Sequence, residues 1–127
     1  APTHPLAPTP EPLKPEDILK YRSIAAADSS RNLPPRTSGL LSGQDVLTVP
    51  DMRCKIAFQR AGLGVGYLPV HMVREEMQSG RLVVKQTLEP KPGISLLIAW
   101  HSADRGKALR WFLDRLANSE LLKSLLA

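Results

Sequence analysis

Met52-Arg-Cys-Lys-Ile-Ala-Phe-Gln-Arg-Ala-Gly-Leu-Gly-Val-Gly-Tyr-Leu-Pro69 is the stretch on which the reading of this chain turns. Asp51, just ahead of it, has the side chain of a helix N-cap. Apolar residues at Met52, Ile56 and Ala57, extended by Phe58 and Ala61, predict an amphipathic helix. Gly62 stands where a left-handed stop is expected. Leu63–Leu68 then reads as a strand whose glycines permit close backbone approach, ended by Pro69. The order excludes a dinucleotide site. That fingerprint needs strand, glycines, then helix, so that phosphate meets a helix N-terminus. Here the glycines follow a helix, and its negative C-terminal end repels phosphate.

The remaining composition is that of one globular domain, with 127 residues, 43% of them hydrophobic and 23% charged. The formal charge is +5, but the lysines and arginines are scattered and interleaved with acids, with no basic run of five. Direct nucleic-acid binding by this chain is therefore not expected. Cys54 is the single cysteine, so no intrachain disulfide is possible and a reducing, cytoplasmic setting is expected. No apolar run approaches the roughly 20 residues that span a bilayer, and no membrane partner is expected. No signal segment opens the chain.

Outward from the central run, six prolines before residue 16 make the start irregular. Lys14–Lys20 offers a short helix with Pro15 in its first turn. Ile24–Ala27 reads as a buried strand, with helix the competing assignment. Residues 32–43 are loop-like, and Val46–Val49 is a strand ending at Pro50. After Pro69 come a helix at His71–Ser79 stopped by Gly80, a strand at Arg81–Leu88, a turn at 89–93 and a strand at Ile94–Trp100 pairing antiparallel with 81–88. A last helix from about 104, capped by Asp104, carries Leu109, Phe112, Leu113 and Leu116 at helical spacing, with an interruption at Asn118–Ser119. Strand–helix–strand units imply an α/β fold with parallel pairing.

Chemistry is sparse. His4, His71 and His101 lie far apart, and neither metal-ligand spacing nor a Gly-x-Ser-x-Gly motif is present, so no metal, cofactor or catalytic residue is assigned. Asp28-Ser29-Ser30-Arg31 brings hydroxyls and a cation to the end of a buried strand, where open α/β sheets bind ligands. The same residues also serve as turn formers, and both readings stand. Val49-Pro50-Asp51 ends the second strand in the same way, although the Asp51 carboxylate, as a cap, competes with an anionic ligand for the helix amides.

Four stretches together resemble the effector-binding domain of LysR-type transcriptional regulators: Ala1-Pro-Thr-His-Pro-Leu-Ala7, Met52–Pro69, Glu76–Val83 with its Gly-Arg-Leu-Val, and Ile94–Trp100 followed by Ala108-Leu-Arg-Trp-Phe112. The resemblance implies a periplasmic-binding-protein-like (type II) lobe. Its sheet would be mixed and mostly parallel, flanked by helices. Residues 1–100 would form the second lobe with its hinge crossings. Residues 101–127 would form a helix of the first lobe, the rest of that lobe and an N-terminal winged helix-turn-helix lying outside this chain. It implies a small-molecule effector held between lobes, contacted here by Asp28, Ser29, Ser30, Arg31 and, in second place, Val49, Pro50 and Asp51. It also implies promoter DNA as a partner only through the N-terminal domain, and a homo-oligomer joined through the helix bearing Arg53, Ile56 and Gln59. The expected function is effector sensing rather than catalysis. The alternative is a solute-binding protein of a transport system, which shares the two-lobe plan.

Overall fold

Ser23–Ala26 (β1) and Val46–Val49 (β2) pair in parallel, with Ser23 opposite Val46 and Ala26 opposite Val49. They belong to a computed structural model that describes residues 1–28, 39–91, 97, 99–101, 103 and 106–126. β1 is the better buried strand: Ser23 and Ile24 are sealed from solvent, whereas β2 buries only Val49. Strand, not helix, is thus the state of the 24–27 run. The chain divides into two compact units, Ala1–Pro92 and Gly93–Ala127.

In the first unit, α1 is a single turn, Pro15–Ile18, with Pro15 at its start and Glu16 and Asp17 beside the positive helix end. α2 spans Met52–Arg60 and packs on both strands. Asp51 has extended backbone, and its carboxylate accepts the Cys54 amide at 2.8 Å. Gly62, at φ +74°, ends the helix in the left-handed region that glycine enters without steric cost.

The Leu63–Leu68 strand is realised only in part. Val65 meets the free side of β1 through one parallel bridge, donating to the Arg22 carbonyl at 2.9 Å while its own carbonyl accepts the Ile24 amide at 2.8 Å. β1 is thereby central, with β2 on one side and the Val65 segment on the other. The approach is close because Gly64 has no side chain: a β-carbon there would stand 2.5 Å from the Arg22 carbonyl oxygen.

α3 covers Val70–Gln78, and the chain leaves it at Gly80, φ +71°. Arg60 reaches Glu76 at 3.2 Å, and Arg81 grips both Glu75 and Glu76, fastening the end of α2 to α3. Arg81–Leu88, expected as a strand, makes no ladder among the described residues. Its contact is one parallel bridge, Thr87 with Leu13, where Leu13 donates to the Gln86 carbonyl and Leu88 to the Leu13 carbonyl, each at 2.8 Å. Lys85 donates to the carbonyls of Ala7 and Thr9 and pairs with Glu11. The proline-rich start is irregular, as expected, yet fixed. Prolines cannot donate to a ladder, so this segment is held mainly through its carbonyls and through turns, with the Leu13 amide bonded to Gln86. Leu6, Leu13, Ile24, Val49, Val73 and Leu82 form the buried apolar core.

In the second unit, α4 (Lys107–Leu116) and α5 (Ser119–Leu126) pack on one another. The expected interruption is a cap: the Asn118 side chain accepts the amides of Glu120 and Leu121. Asp104 lies outside the described residues, and Gly106 holds the N-cap position of α4 without a side-chain bond. Leu109, Leu113 and Leu116 are half-buried, while Phe112 and Trp111 are more than half exposed and meet edge to face at 5.0 Å. The strand expected over Ile94–Trp100, and its antiparallel pairing with 81–88, lie mostly outside the described residues. Leu97, Ala99 and Trp100 carry no regular structure.

Candidate functional site

Parallel strands end at the same edge. After the last β1–β2 pair, Ala26 with Val49, the Ala27 amide donates to the Val49 carbonyl at 2.8 Å. Ala27-Asp28 and Pro50-Asp51 therefore leave the sheet side by side, at the carboxyl ends of both strands, with the first turn of α2 directly above Asp51. Two segments separated in sequence by residues 29–49 are brought together by this register. Of the residues predicted to meet a ligand, Asp28, Pro50 and Asp51 are exposed at this edge, and Val49 is buried beneath it. Ser29, Ser30 and Arg31 lie outside the described residues.

The electrostatics of the edge follow from the cap. The hydrogen bond from the Cys54 amide holds the Asp51 carboxyl below the usual carboxylate range, so it is ionised at neutral pH. Partial burial, with Asp51 adding, pushes the Cys54 thiol up and keeps it protonated. The helix amides here thus face a resident carboxylate.

One turn further along α2 the chemistry changes sign. Lys55 is half-buried, its ε-carbon 3.5 Å from where a β-carbon on Gly66 would stand. Burial, then the nearby Lys91, draws its ammonium below the ordinary lysine value. Lys91 sits over the Tyr67 ring, 5.8 Å from its centroid. Gly66, at φ +154°, leaves the space that Lys55 approaches, whereas the Lys91 Cδ stands 3.5 Å from where a β-carbon on Gly39 would be.

Gln59 was expected beside Arg53 and Ile56 on an exposed pairing face. It is instead buried, at 6% exposure, within the first unit. Its backbone carbonyl accepts from the Ala1 amino group and the Gly62 amide. Its side-chain Nε2 is sealed from solvent and has no hydrogen-bond partner among the described residues. Arg53 is exposed and Ile56 half-buried. A signal for Gln59 was present: it lies three residues after Ile56 and seven after Met52, on the helix's apolar stripe. Lys55 and Lys91 carried no such signal, since 36 residues of sequence separate them.

A cavity of about 240 Å³ opens beside this region in the first unit, its wall including Gln59, Gly66 and Tyr67 together with Leu6, Leu13 and Leu82. His4 also borders it, neutral and fixed: its Nδ1 accepts the Leu6 amide, and burial first of all lowers its pKa. Among the described residues, no group of three or more His, Cys, Asp or Glu is placed to hold a metal ion, and no helix is long and apolar enough to cross a membrane.

Residues 1–120 match the family model described as LysR substrate binding domain. The chain is 36% identical over 122 residues to the uncharacterized HTH-type transcriptional regulator YeeY of Escherichia coli K12, covering 95% of this chain and 40% of that protein. Over 119 residues it is 32% identical to the HTH-type transcriptional regulator PunR of the same strain, covering 94% and 38%. Over 113 residues it is 40% identical to the probable HTH-type transcriptional regulator YhaJ, also of that strain, covering 89% and 38%. The chain spans about two fifths of the length of these relatives. By the family match over nearly its whole length, the chain belongs to the LysR substrate-binding domain family.

Proposed function

We propose that the chain is the effector-sensing part of a bacterial LysR-type transcriptional regulator. It binds a small molecule at the carboxyl edge of β1 and β2, and occupancy controls DNA binding by a helix-turn-helix domain of the longer protein. The observation that carries the reading is the side-by-side exit of Ala27-Asp28 and Pro50-Asp51, the edge at which open α/β sheets take ligands. The relatives, each named an HTH-type transcriptional regulator and each more than twice as long, support a DNA-binding role for the whole protein over a transport role.

In this reading, residues 1–100 form the second lobe of a periplasmic-binding-protein-like domain, with the hinge crossings at Ala1–Ala7 and 94–100, and the helices after residue 101 belong to the first lobe. The division of the chain before its C-terminal helices supports that assignment. Ser29, Ser30 and Arg31, which follow Asp28 in sequence and lie outside the described residues, are assigned to effector contact. Copies associate through the α2 surface at Arg53 and Ile56, and Gln59, being buried, takes no part. The domain senses and does not catalyse.

The test is a mobility-shift measurement with the full-length protein and the DNA flanking its own gene. Sequence-specific retention is expected. Its absence under low-salt conditions, together with capture of a solute by the isolated protein, would instead favour the transport reading.

A further inference from the structure

Among the described residues three polar side chains are buried, His4, Ser23 and Gln59, and all three border the cavity of about 240 Å³ in the first unit. Each keeps a polar atom without a hydrogen-bond partner. His4 accepts the Leu6 amide on Nδ1, so its neutral ring carries the hydrogen on Nε2, and that donor meets no acceptor among the described residues. The Ser23 amide donates to the Asp45 carbonyl at 2.8 Å, while its hydroxyl has no partner among the described residues. Gln59 Nε2 is likewise unpaired. Buried polar groups are nearly always bonded, so three that are not, around one space, point to an occupant.

The rest of the wall sets the character of that occupant. Its charged side chain is Lys85, which two carbonyls and Glu11 already engage, and no carboxylate side chain is on it. Ser23 opens β1 and Gln44 stands two residues before β2, so the cavity reaches the amino ends of the strands. Asp28 and residues 49–51 are not on its wall. It is separate from the strand edge assigned to the effector.

We propose that this cavity is a second ligand site, for a small uncharged carboxamide or lactam. The apolar body of the ligand lies against Leu6, Leu13 and Leu82, and its amide group bonds to His4 Nε2, Ser23 Oγ and the Gln59 carboxamide. An amide offers both an acceptor and a donor. That matches one obligate donor, His4 Nε2–H, and two groups able to act either way. A half-turn of the Gln59 carboxamide exchanges its oxygen and nitrogen, so either end can face the ligand. A charged ligand would carry an ion into a largely apolar space whose cation is already paired, at a heavy desolvation cost. A cavity near 240 Å³ admits a short chain or a single ring. The site goes beyond the regulator reading and does not depend on it.

The experiment is NMR titration of the full chain, without DNA, with hexanamide, caprolactam, hexanoate and hexylammonium, following the Gln59 side-chain NH2, the His4 ring and the Ser23 amide. One of the two amides should shift all three, and both ions should bind at least tenfold more weakly. Ser23→Ala and Gln59→Leu should each weaken the bound amide about fivefold, the effect of losing one neutral hydrogen bond, while the surface variant Arg74→Ala leaves affinity unchanged. Circular dichroism establishes that the variants fold. Shifts with neither amide, equal binding of the ions, or unchanged affinity in both folded cavity variants would each overturn the proposal. So would shifts confined to Ala27, Asp28 and Asp51, which would seat the amide at the strand edge. Because DNA is absent, each of these failures leaves the mobility-shift test of the regulator reading untouched.

Discussion

The Ala27 amide donates to the Val49 carbonyl at 2.8 Å, one residue beyond the last regular pair of the sheet. That bond ties the two loops leaving the sheet into one surface, and it sits under the first turn of α2. The stability of this edge depends on Ile24 at the centre of β1, the most completely buried large side chain among those described. Ile24→Ala should destabilise the first unit by about 2–5 kcal/mol, the usual range for emptying a buried aliphatic site. Urea denaturation checks it, and a cost below 1 kcal/mol would mean that β1 is not central.

Asp51→Ala removes the acceptor of the Cys54 amide and should lower Tm by a few degrees. Asp51→Asn should retain most of that stability at neutral pH, because asparagine also caps. The two differ in acid. The folded carboxyl of Asp51 titrates below its unfolded value, so its contribution is complete above the ordinary carboxylate value of about 4 and fades as pH falls through the folded value. The wild type should therefore lose stability over that window more steeply than Asp51→Asn. Parallel pH profiles of Tm would contradict the cap assignment.

The glycines of the 62–66 run are distinguishable by substitution. Gly64→Ala places a β-carbon 2.5 Å from the Arg22 carbonyl oxygen and 2.8 Å from Ile24 Cδ1. Backbone cannot yield there, and a cost of about 1–3 kcal/mol or more is expected. Gly80→Ala meets nothing within 4 Å, so only its φ of +71° opposes it, for about 1 kcal/mol. Denaturation midpoints in the reverse order would contradict the close approach of the Val65 segment to β1.

Gln59→Leu should hold or raise the stability of the unliganded protein, by up to about 1 kcal/mol, because it removes a buried amide nitrogen without a partner and leaves the backbone carbonyl in place. A loss of stability in urea denaturation would show that the amide has a partner within the fold.

What was legible in the sequence was what local chemistry decides. Asp51 and Gly62 bracket α2, Gly80 ends α3, and Val46–Val49 with Pro50 reads as a strand, because cap, stop and β-branching act over a few residues. The α/β class and the strand edge near 28 and 49–51 followed from order alone. Leu63–Leu68 was over-read, and Arg81–Leu88 shows no ladder among the described residues, its expected partner 94–100 lying mostly outside them. Each has strand-like composition, but a ladder needs a distant partner in register, and among the described residues each makes a single bridge, to Ser23 and to Leu13. Gln59 was assigned to the pairing helix by the family resemblance alone, whereas its spacing from Met52 and Ile56 sets it on the buried apolar face. The proximity of Lys55 and Lys91 was invisible, since only the folded chain brings residues 36 apart near enough for one charge to act on the other.

We propose that the segments leaving β1 and β2 sense a small molecule on behalf of a DNA-binding domain. Hydrogen exchange of the full-length protein tests it most directly, with and without a small-molecule fraction that alters its footprint on the DNA flanking its gene. Peptides covering residues 24–31 and 46–54 should gain protection together when that fraction is added. A changed footprint with both segments unaltered would contradict it.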